Sequence, residues 1–260
     1  MKILLIAGHG QGDSGAVSKY GHEDNFTRLV ASGVKDNLAG LADVDLYPFE
    51  KNCYKQVKNG SSPDWSAYDY VLEIHLNSSN GKGTGSEIYI SPLEGADIAE
   101  KAILNSLCSL GFKNRGVKKD KPNLLNMKKC KASGTSYALL EVCFIDNESD
   151  MRLLNENKEK ICQLIAKGIC DGFGIAYNPA NTQQSSGFFK VQVGAFMLYK
   201  YAEKLRDELL SKGYPCFITT VDNLYKVQVG AFSVESNAYT MAEDLKKHGY
   251  DCFVKRPDGK

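Results

Sequence analysis

The 260-residue sequence predicts two folded units of different class joined by a short linker. Residues 1–176 read as an α/β domain with a mostly parallel, mixed sheet between helices. Residues 188–257 read as a small α+β domain of two βαβ-type repeats, in βαββαβ order, with a four-stranded antiparallel sheet. Three observations carry this. In the first unit, apolar strand-like runs alternate with helical stripes, the pattern of a parallel sheet with crossover helices. In the second, residues 189–196 (FKVQVGAF) recur at 225–232 (YKVQVGAF), an offset of 36, and 13 of 31 positions are identical between 188–218 and 224–254. Between them, residues 177–187 are polar, small and apolar-poor, the composition of a linker.

Taken in order, strands are expected at 2–7, 43–47, 69–76, 86–91 and 137–144, each a short apolar run bounded by turn residues. Helices are expected at about 23–39, 95–110 and 149–173, the last carrying Leu154, Ile161, Ile165 and Ile169 as a stripe. In each C-terminal repeat, KVQV alternates apolar and polar residues as a half-buried strand does. Residues 200–212 then follow a helical period through Ala202, Leu205 and Leu209 to Gly213 at a C-cap position, and Cys216-Phe217-Ile218 forms a second strand. The two helices cover one sheet face and leave the other free for a ligand.

Composition excludes several classes. The net charge is +1, split as −1 over residues 1–176 and +2 over 177–260, which argues against a nucleic-acid partner recognised by bulk charge. No apolar run approaches a membrane span. The first residues, Met1-Lys2-Ile3-Leu4-Leu5-Ile6-Ala7, are too short an apolar stretch for a secretory signal and read as a core strand. The expectation is synthesis in the cytoplasm without a signal peptide, and no membrane insertion. The eight cysteines form no CxxC and lie in apolar stretches, so reduced core thiols are expected.

The chemistry-bearing residues are few. Of four histidines, His9 follows the first strand across Gly8 and His75 closes the apolar run 70–75. Under parallel pairing both fall at the same sheet edge, where ligand sites gather in such folds. Glu23 opens the first helix after the glycine loop. Two imidazoles and a carboxylate, with water in the fourth position, make a catalytic zinc site; satisfied polar residues at strand ends are the alternative. Glu141 is a carboxylate inside the buried run 137–147, either a salt-bridged strand-end acid or a base beside a metal.

Four segments then occur in order: Gly8-His9-Gly10, Gly21-His22-Glu23-Asp24-Asn25, Ile74-His75-Leu76-Asn77, and Leu140-Glu141-Val142-Cys143-Phe144-Ile145-Asp146-Asn147. Together they resemble the zinc-dependent N-acetylmuramoyl-L-alanine amidases of the amidase 3 family, over nearly all of residues 1–175. The resemblance implies that His9, Glu23 and His75 bind Zn²⁺, that Glu141 is the catalytic acid/base, and that the substrate is peptidoglycan. Asn77, two residues past His75, is expected to line the site. The chain departs from the family in having Ile6-Ala7-Gly8 where an acid often precedes the first His, and Leu76 where a small residue is usual. His22, beside Glu23, is a minor rival ligand.

The C-terminal repeats resemble a SPOR domain, a peptidoglycan-binding module. In strand alternation Val191 and Val193 face the helices. Gln192, Gln228, Phe217 and Phe253 then face outward as candidate glycan contacts, unless the two phenylalanines are core. Gly10-Gln11-Gly12-Asp13-Ser14-Gly15 lacks the terminal Gly-Lys-Ser/Thr of a phosphate loop, and no G-x-S-x-G elbow occurs. The basic clusters 118–121 and 128–131 read as solvated loops. The resulting expectation is a wall hydrolase, a phage endolysin first and a sporulation mother-cell amidase second, with an inactive wall-binding adaptor as a further alternative. Oligomeric state is not legible.

Overall fold

The structure, a computed structural model, describes all residues except 11, 120–123, 179–188, 215, 222–223, 233–234 and 257–260. It divides into two compact units, Met1–Tyr47 with Lys51–Tyr177, and Pro48–Glu50 with Asn178–Lys260. Most of the expected linker, and both ends of the expected C-terminal domain, lie outside the described residues.

In the first unit the order is β1 (Lys2–Ala7), β2 (Val17–Ser18), β3 (Gly21–His22), α1 (Glu23–Asn37), β4 (Asp43–Leu46), α2 (Cys53–Lys58), β5 (Tyr70–Asn77), β6 (Ser86–Ile90), α3 (Ile98–Cys108), β7 (Asn114–Lys118), α4 (Leu125–Ala132), β8 (Ser136–Phe144), α5 (Glu148–Glu156) and α6 (Lys158–Gly172). Six strands form one sheet in the order β4-β1-β5-β8-β6-β7. All its pairings are parallel except β6 with β8. Helices α1, α3 and α6 pack on one face, α2 and α4 on the other. Both faces are therefore buried, which is why the strands read as near-continuous apolar runs. Leu4, Ile6, Val71, Tyr89, Tyr137 and Leu139 share the α2/α4 side with Cys53, Val57, Met127 and Cys130. Residues 73, 75, 87 and 141 belong to the same sheet face, because side chains alternate with period two.

Several local expectations need correction. The helix expected at 149–173 is two helices, divided at Asn157, whose φ of −128° is non-helical. Its side-chain amide donates to the Leu153 carbonyl at 2.9 Å, the backbone competition that makes Asn a helix terminator. The expected elements omit α2, α4 and β7. The first two are too short to show a long stripe: α2 buries only Cys53 and Val57, and α4 only Asn126, Met127 and Cys130. β7 is a polar edge strand, NRGVK. The basic clusters are accordingly structured: Lys118 ends β7 and bonds Glu87 at 2.5 Å, and Lys131, on α4, bonds Glu94 at 3.0 Å. Asp120 and Lys121 fall outside the described residues. All eight cysteines are free, six of them buried.

The second unit runs β9 (Phe189–Phe196), α7 (Tyr199–Ser211), β10 (Cys216–Val221), β11 (Leu224–Phe232), α8 (Glu235–Lys247) and β12 (Phe253–Lys255). Its sheet has the order β10-β11-β9-β12, antiparallel throughout. The duplication is geometric as well as sequential. Cys216 Sγ donates to the Arg206 carbonyl and Cys252 Sγ to the Ala242 carbonyl, both at 3.3 Å and both between a strand segment and its helix. The row Cys216, Val229, Val191, Val254 thus faces the helices.

Candidate active site

The site lies at the carboxyl edge of the central strands. β1 and β5 run parallel with Ala7 opposite Ile74, so His9, just past β1, and His75, near the end of β5, reach the same edge. His9 adopts φ +66°, a left-handed conformation that costs a non-glycine residue roughly 1–2 kcal/mol. The glycine loop around it is required by close approach. A Cβ on Gly8 would stand 2.4 Å from the His75 ring, and one on Gly15 would stand 2.5 Å from His9 and 2.6 Å from Glu23.

Glu23 is the first residue of α1, where an acid suits the helix dipole. It is 3% exposed and joins the two imidazoles. Its Oε2 is 3.0 Å from His9 Nε2 and its Oε1 2.9 Å from His75 Nδ1. The backbone amides of Ala16 and Leu76 donate to the same two oxygens at 2.9 and 3.0 Å, locking the carboxylate. The imidazole centroids are 4.9 Å apart, edge to face. One ligand atom from each of His9, Glu23 and His75 lies within 4.8 Å of the others, and among the described residues this is the only such group. His22 is not part of it.

Each imidazole also meets a second carboxylate on its far nitrogen. His9 Nδ1 is 3.2 Å from Asp13 Oδ1, and His75 Nε2 is 3.1 Å from Glu73 Oε1. Asp13 is held by Asn52 at 3.0 Å and by the Gly15 amide at 3.1 Å. Glu73 is held by Asn126 at 2.9 Å and by the Tyr137 hydroxyl. Sequence reading missed both acids. The signal for Glu73 was present: residues 73 and 75 share a face of a buried strand. Asp13 had no such signal, since loop geometry alone brings it to His9.

Glu141 stands opposite His75 in the β5–β8 ladder and opposite Glu87 in the β6–β8 ladder. Glu87 is buried and neutralised by Arg115 at 2.6 Å and Lys118 at 2.5 Å. Asn77 donates to Glu87 at 2.7 Å. His9, Glu23, His75, Asn77 and Glu141 all line one cavity of about 490 Å³. Its other walls include Asp13, Glu73, Tyr54, Leu124 and Leu125, and among the described residues no Lys or Arg lines it.

The electrostatics favour positive charge here. Burial alone would raise the Glu23 carboxyl, but both imidazoles hold it far below the carboxylate range. Burial would lower His75, yet hydrogen bonds to Glu23 and Glu73 and the charges of Glu73 and Glu141 drive it well above its ordinary value. His9 is raised in the same way against burial, by Glu23 and then Asp13. Glu73 stays ionised despite burial because His75, Tyr137 and Asn126 bond it. Two imidazoles and a carboxylate within reach of one ion, in a pocket of fixed negative charge, fit a divalent cation with bonds of about 2 Å.

In the second unit, Phe217, Gln228, Gln192 and Phe253 form a single cross-strand row, on the face away from the helices. Phe217 and Gln228 are buried, Gln192 is half-buried and Phe253 is 54% exposed. Of the two phenylalanines, therefore, one is packed and one is surface. The Gln228 amide donates to the Gly230 carbonyl at 3.0 Å.

Comparisons with known proteins agree with this architecture. Residues 3–171 match the family Amidase_3, N-acetylmuramoyl-L-alanine amidase, and residues 185–256 match the SPOR domain. A sporulation-specific N-acetylmuramoyl-L-alanine amidase of Bacillus subtilis is 32% identical over 229 residues, covering 85% of this chain and 86% of that protein. An endolysin of Bacillus phage SPP1 is 24% identical over 185 residues, covering 68% and 66%. The CwlD amidase from Clostridioides difficile, solved in complex with the GerS lipoprotein, superposes with a TM-score of 0.56 at 22% identity, over 66% of this chain and 98% of that one. A mixed sheet carrying a His-Glu-His cluster at its carboxyl edge, followed by a duplicated sheet domain, thus belongs to the N-acetylmuramoyl-L-alanine amidase family and bears a C-terminal SPOR domain.

Proposed function

We propose that the chain cleaves the amide between the lactyl group of N-acetylmuramic acid and the L-alanine of the stem peptide, using Zn²⁺ held by His9, Glu23 and His75. The observation that carries this is their convergence within 4.8 Å, with Glu141 on the same cavity wall. When bound, the ion polarises the scissile carbonyl and acidifies a water. Glu141, one strand away from His75, takes the attacking water's proton and passes it to the departing amine of L-alanine. The water oxygen ends on the carbonyl carbon, and the proton on the nitrogen. Glu87 lies opposite Glu141 and is itself paired with Arg115 and Lys118. Asn77, held by Glu87, presents a polar wall to the substrate.

Gln192 and Phe253, with the buried Gln228 and Phe217 packed beside them in the same row, are the proposed glycan contact. Amides bond sugar hydroxyls, and an exposed ring covers sugar CH groups. Sporulation is the better supported setting. The similarity to the sporulation-specific amidase extends over 85% of the chain, more than residues 1–177 supply, whereas the endolysin matches 68% at lower identity.

The test is digestion of purified cell walls with and without a chelator, with new termini identified by mass spectrometry. Free N-terminal L-alanine and an intact lactyl carboxylate are expected, and chelation abolishes both. Glu141→Gln keeps its metal and loses turnover by about 10²–10⁴-fold. A Glu141→Gln protein with wild-type turnover overturns the assignment of the base.

A further inference from the structure

The cavity is lined by two acids that the proposed chemistry does not use, Asp13 and Glu73. Glu73 is 6% exposed and sits two residues before His75 on β5, on the same sheet face. Its two oxygens are divided between two tasks. Oε1 faces His75 Nε2 at 3.1 Å. Oε2 accepts from Asn126 Nδ2 at 2.9 Å and from the Tyr137 hydroxyl. These partners come from α4 and β8, so three elements fix one carboxylate. The other nitrogen of His75, Nδ1, points at Glu23. An imidazole can give only one nitrogen lone pair to a cation, and the second nitrogen then carries the proton. Here the nitrogen away from Glu23 is the one that meets a pinned acceptor.

We propose that Glu73 is a positioning residue for the metal centre: it keeps the His75 proton on Nε2 and the ring fixed, so that Nδ1 is presented beside Glu23 and His9. Asn126 and Tyr137 hold Glu73 in turn. This rests on the reading of His9, Glu23 and His75 as metal ligands. A carboxylate behind a ligand imidazole also makes it more basic, and losing such a partner weakens metal binding by roughly 10–100-fold in general.

The experiment measures Zn²⁺ affinity of the full chain by competition with a chromophoric chelator, and records the visible spectrum of the Co²⁺-substituted protein. Glu73→Ala is expected to bind Zn²⁺ about 10–100-fold more weakly and to shift the Co²⁺ bands. Glu73→Gln, which keeps an acceptor oxygen but no charge, falls between it and the wild type. Glu100→Gln is the control. It alters another buried acid, bonded to Tyr70 at 2.9 Å and absent from the cavity wall, and it leaves Zn²⁺ affinity and spectrum unchanged.

A folded Glu73→Ala protein within twofold of wild-type affinity overturns the proposal, as does an equal loss in Glu100→Gln. If Glu73→Ala does not fold, Glu73→Gln decides: wild-type affinity together with a wild-type Co²⁺ spectrum overturns it. A wild-type chain that binds no Zn²⁺ overturns instead the metal reading on which the proposal stands.

Discussion

Replacing Gly8 by alanine isolates one physical requirement of the site. Gly8 is not in the left-handed region, so an added methyl brings no backbone strain of its own. What it meets is the His75 ring, with Cε1 at 2.4 Å and both ring nitrogens at 2.6 Å. Ordinary carbon contacts are about 3.5 Å or more, so the ring must retreat by about 1 Å. It has nowhere to go without loss. Its nitrogens bond Glu23 at 2.9 Å and Glu73 at 3.1 Å, and a shift of that size stretches at least one of these charge-assisted bonds beyond bonding distance. Each such bond contributes about 1.5–3 kcal/mol, and overpacking of this kind costs about 1–3 kcal/mol. Gly8→Ala is therefore expected to lose about 2–4 kcal/mol of stability and to bind Zn²⁺ about 10–100-fold more weakly, because the ligand ring loses the partners that orient it. Thermal unfolding and chelator competition read the two effects. Gly95→Ala is the matched control, since nothing lies within 4 Å of its added carbon. Equal melting temperature and metal affinity in Gly8→Ala and the wild type would refute the steric reasoning.

Further outcomes follow from other parts of the molecule. Phe253→Ala and Gln192→Ala should each reduce co-sedimentation of the full chain with purified walls while leaving Zn²⁺ content unchanged; undiminished sedimentation of the double variant removes the row as the glycan contact. Asp36, half-buried on α1, has its carboxyl pushed up to about 7 by burial, against the opposing charge of Lys35. An acid with a raised folded pKa contributes stability that is fully present below its unfolded value near 4 and is lost as pH rises toward 7. Asp36→Asn should therefore leave the melting temperature nearly unchanged at pH 4 and raise it above pH 7. The gain is about 1–2 kcal/mol after allowing for half-burial, and a gain independent of pH contradicts the assignment.

Much of the fold was legible because its strands are long apolar runs and its helices carry stripes. Leu4 with Leu5, and Val71 with Leu72, announce a sheet buried on both faces. The elements that escaped are those whose burial is too brief to show a period: α2 commits two side chains to the core, and the edge strand β7 commits no apolar run. Asn157 illustrates the opposite failure, a stripe that continues across a residue whose own side chain ends the helix. At the site, the order and type of His9, Glu23, His75 and Glu141 stood out against a chain poor in histidine. Asp13 and Glu73 did not, because an acid beside a ligand imidazole is a fact of two neighbouring positions in space. Phe217 and Phe253 are equivalent in the repeat, yet one is packed and the other open.

By itself, then, the amino-acid sequence determined the alternation of strands and helices, the duplication in the last third, and the residues able to bind a cation or move a proton. These are local properties, written in the burial period of single segments and in motifs a few residues long. Only the tertiary structure decided that side chains 14 and 52 residues apart converge on one point, and that each ligand imidazole is backed by its own carboxylate. It also decided that in the outward row of the second sheet Phe253 is exposed while Phe217 and Gln228 are buried. Those outcomes depend on which strands become neighbours and in what register, and strand pairing is set by the packing of the whole sheet rather than by any one segment.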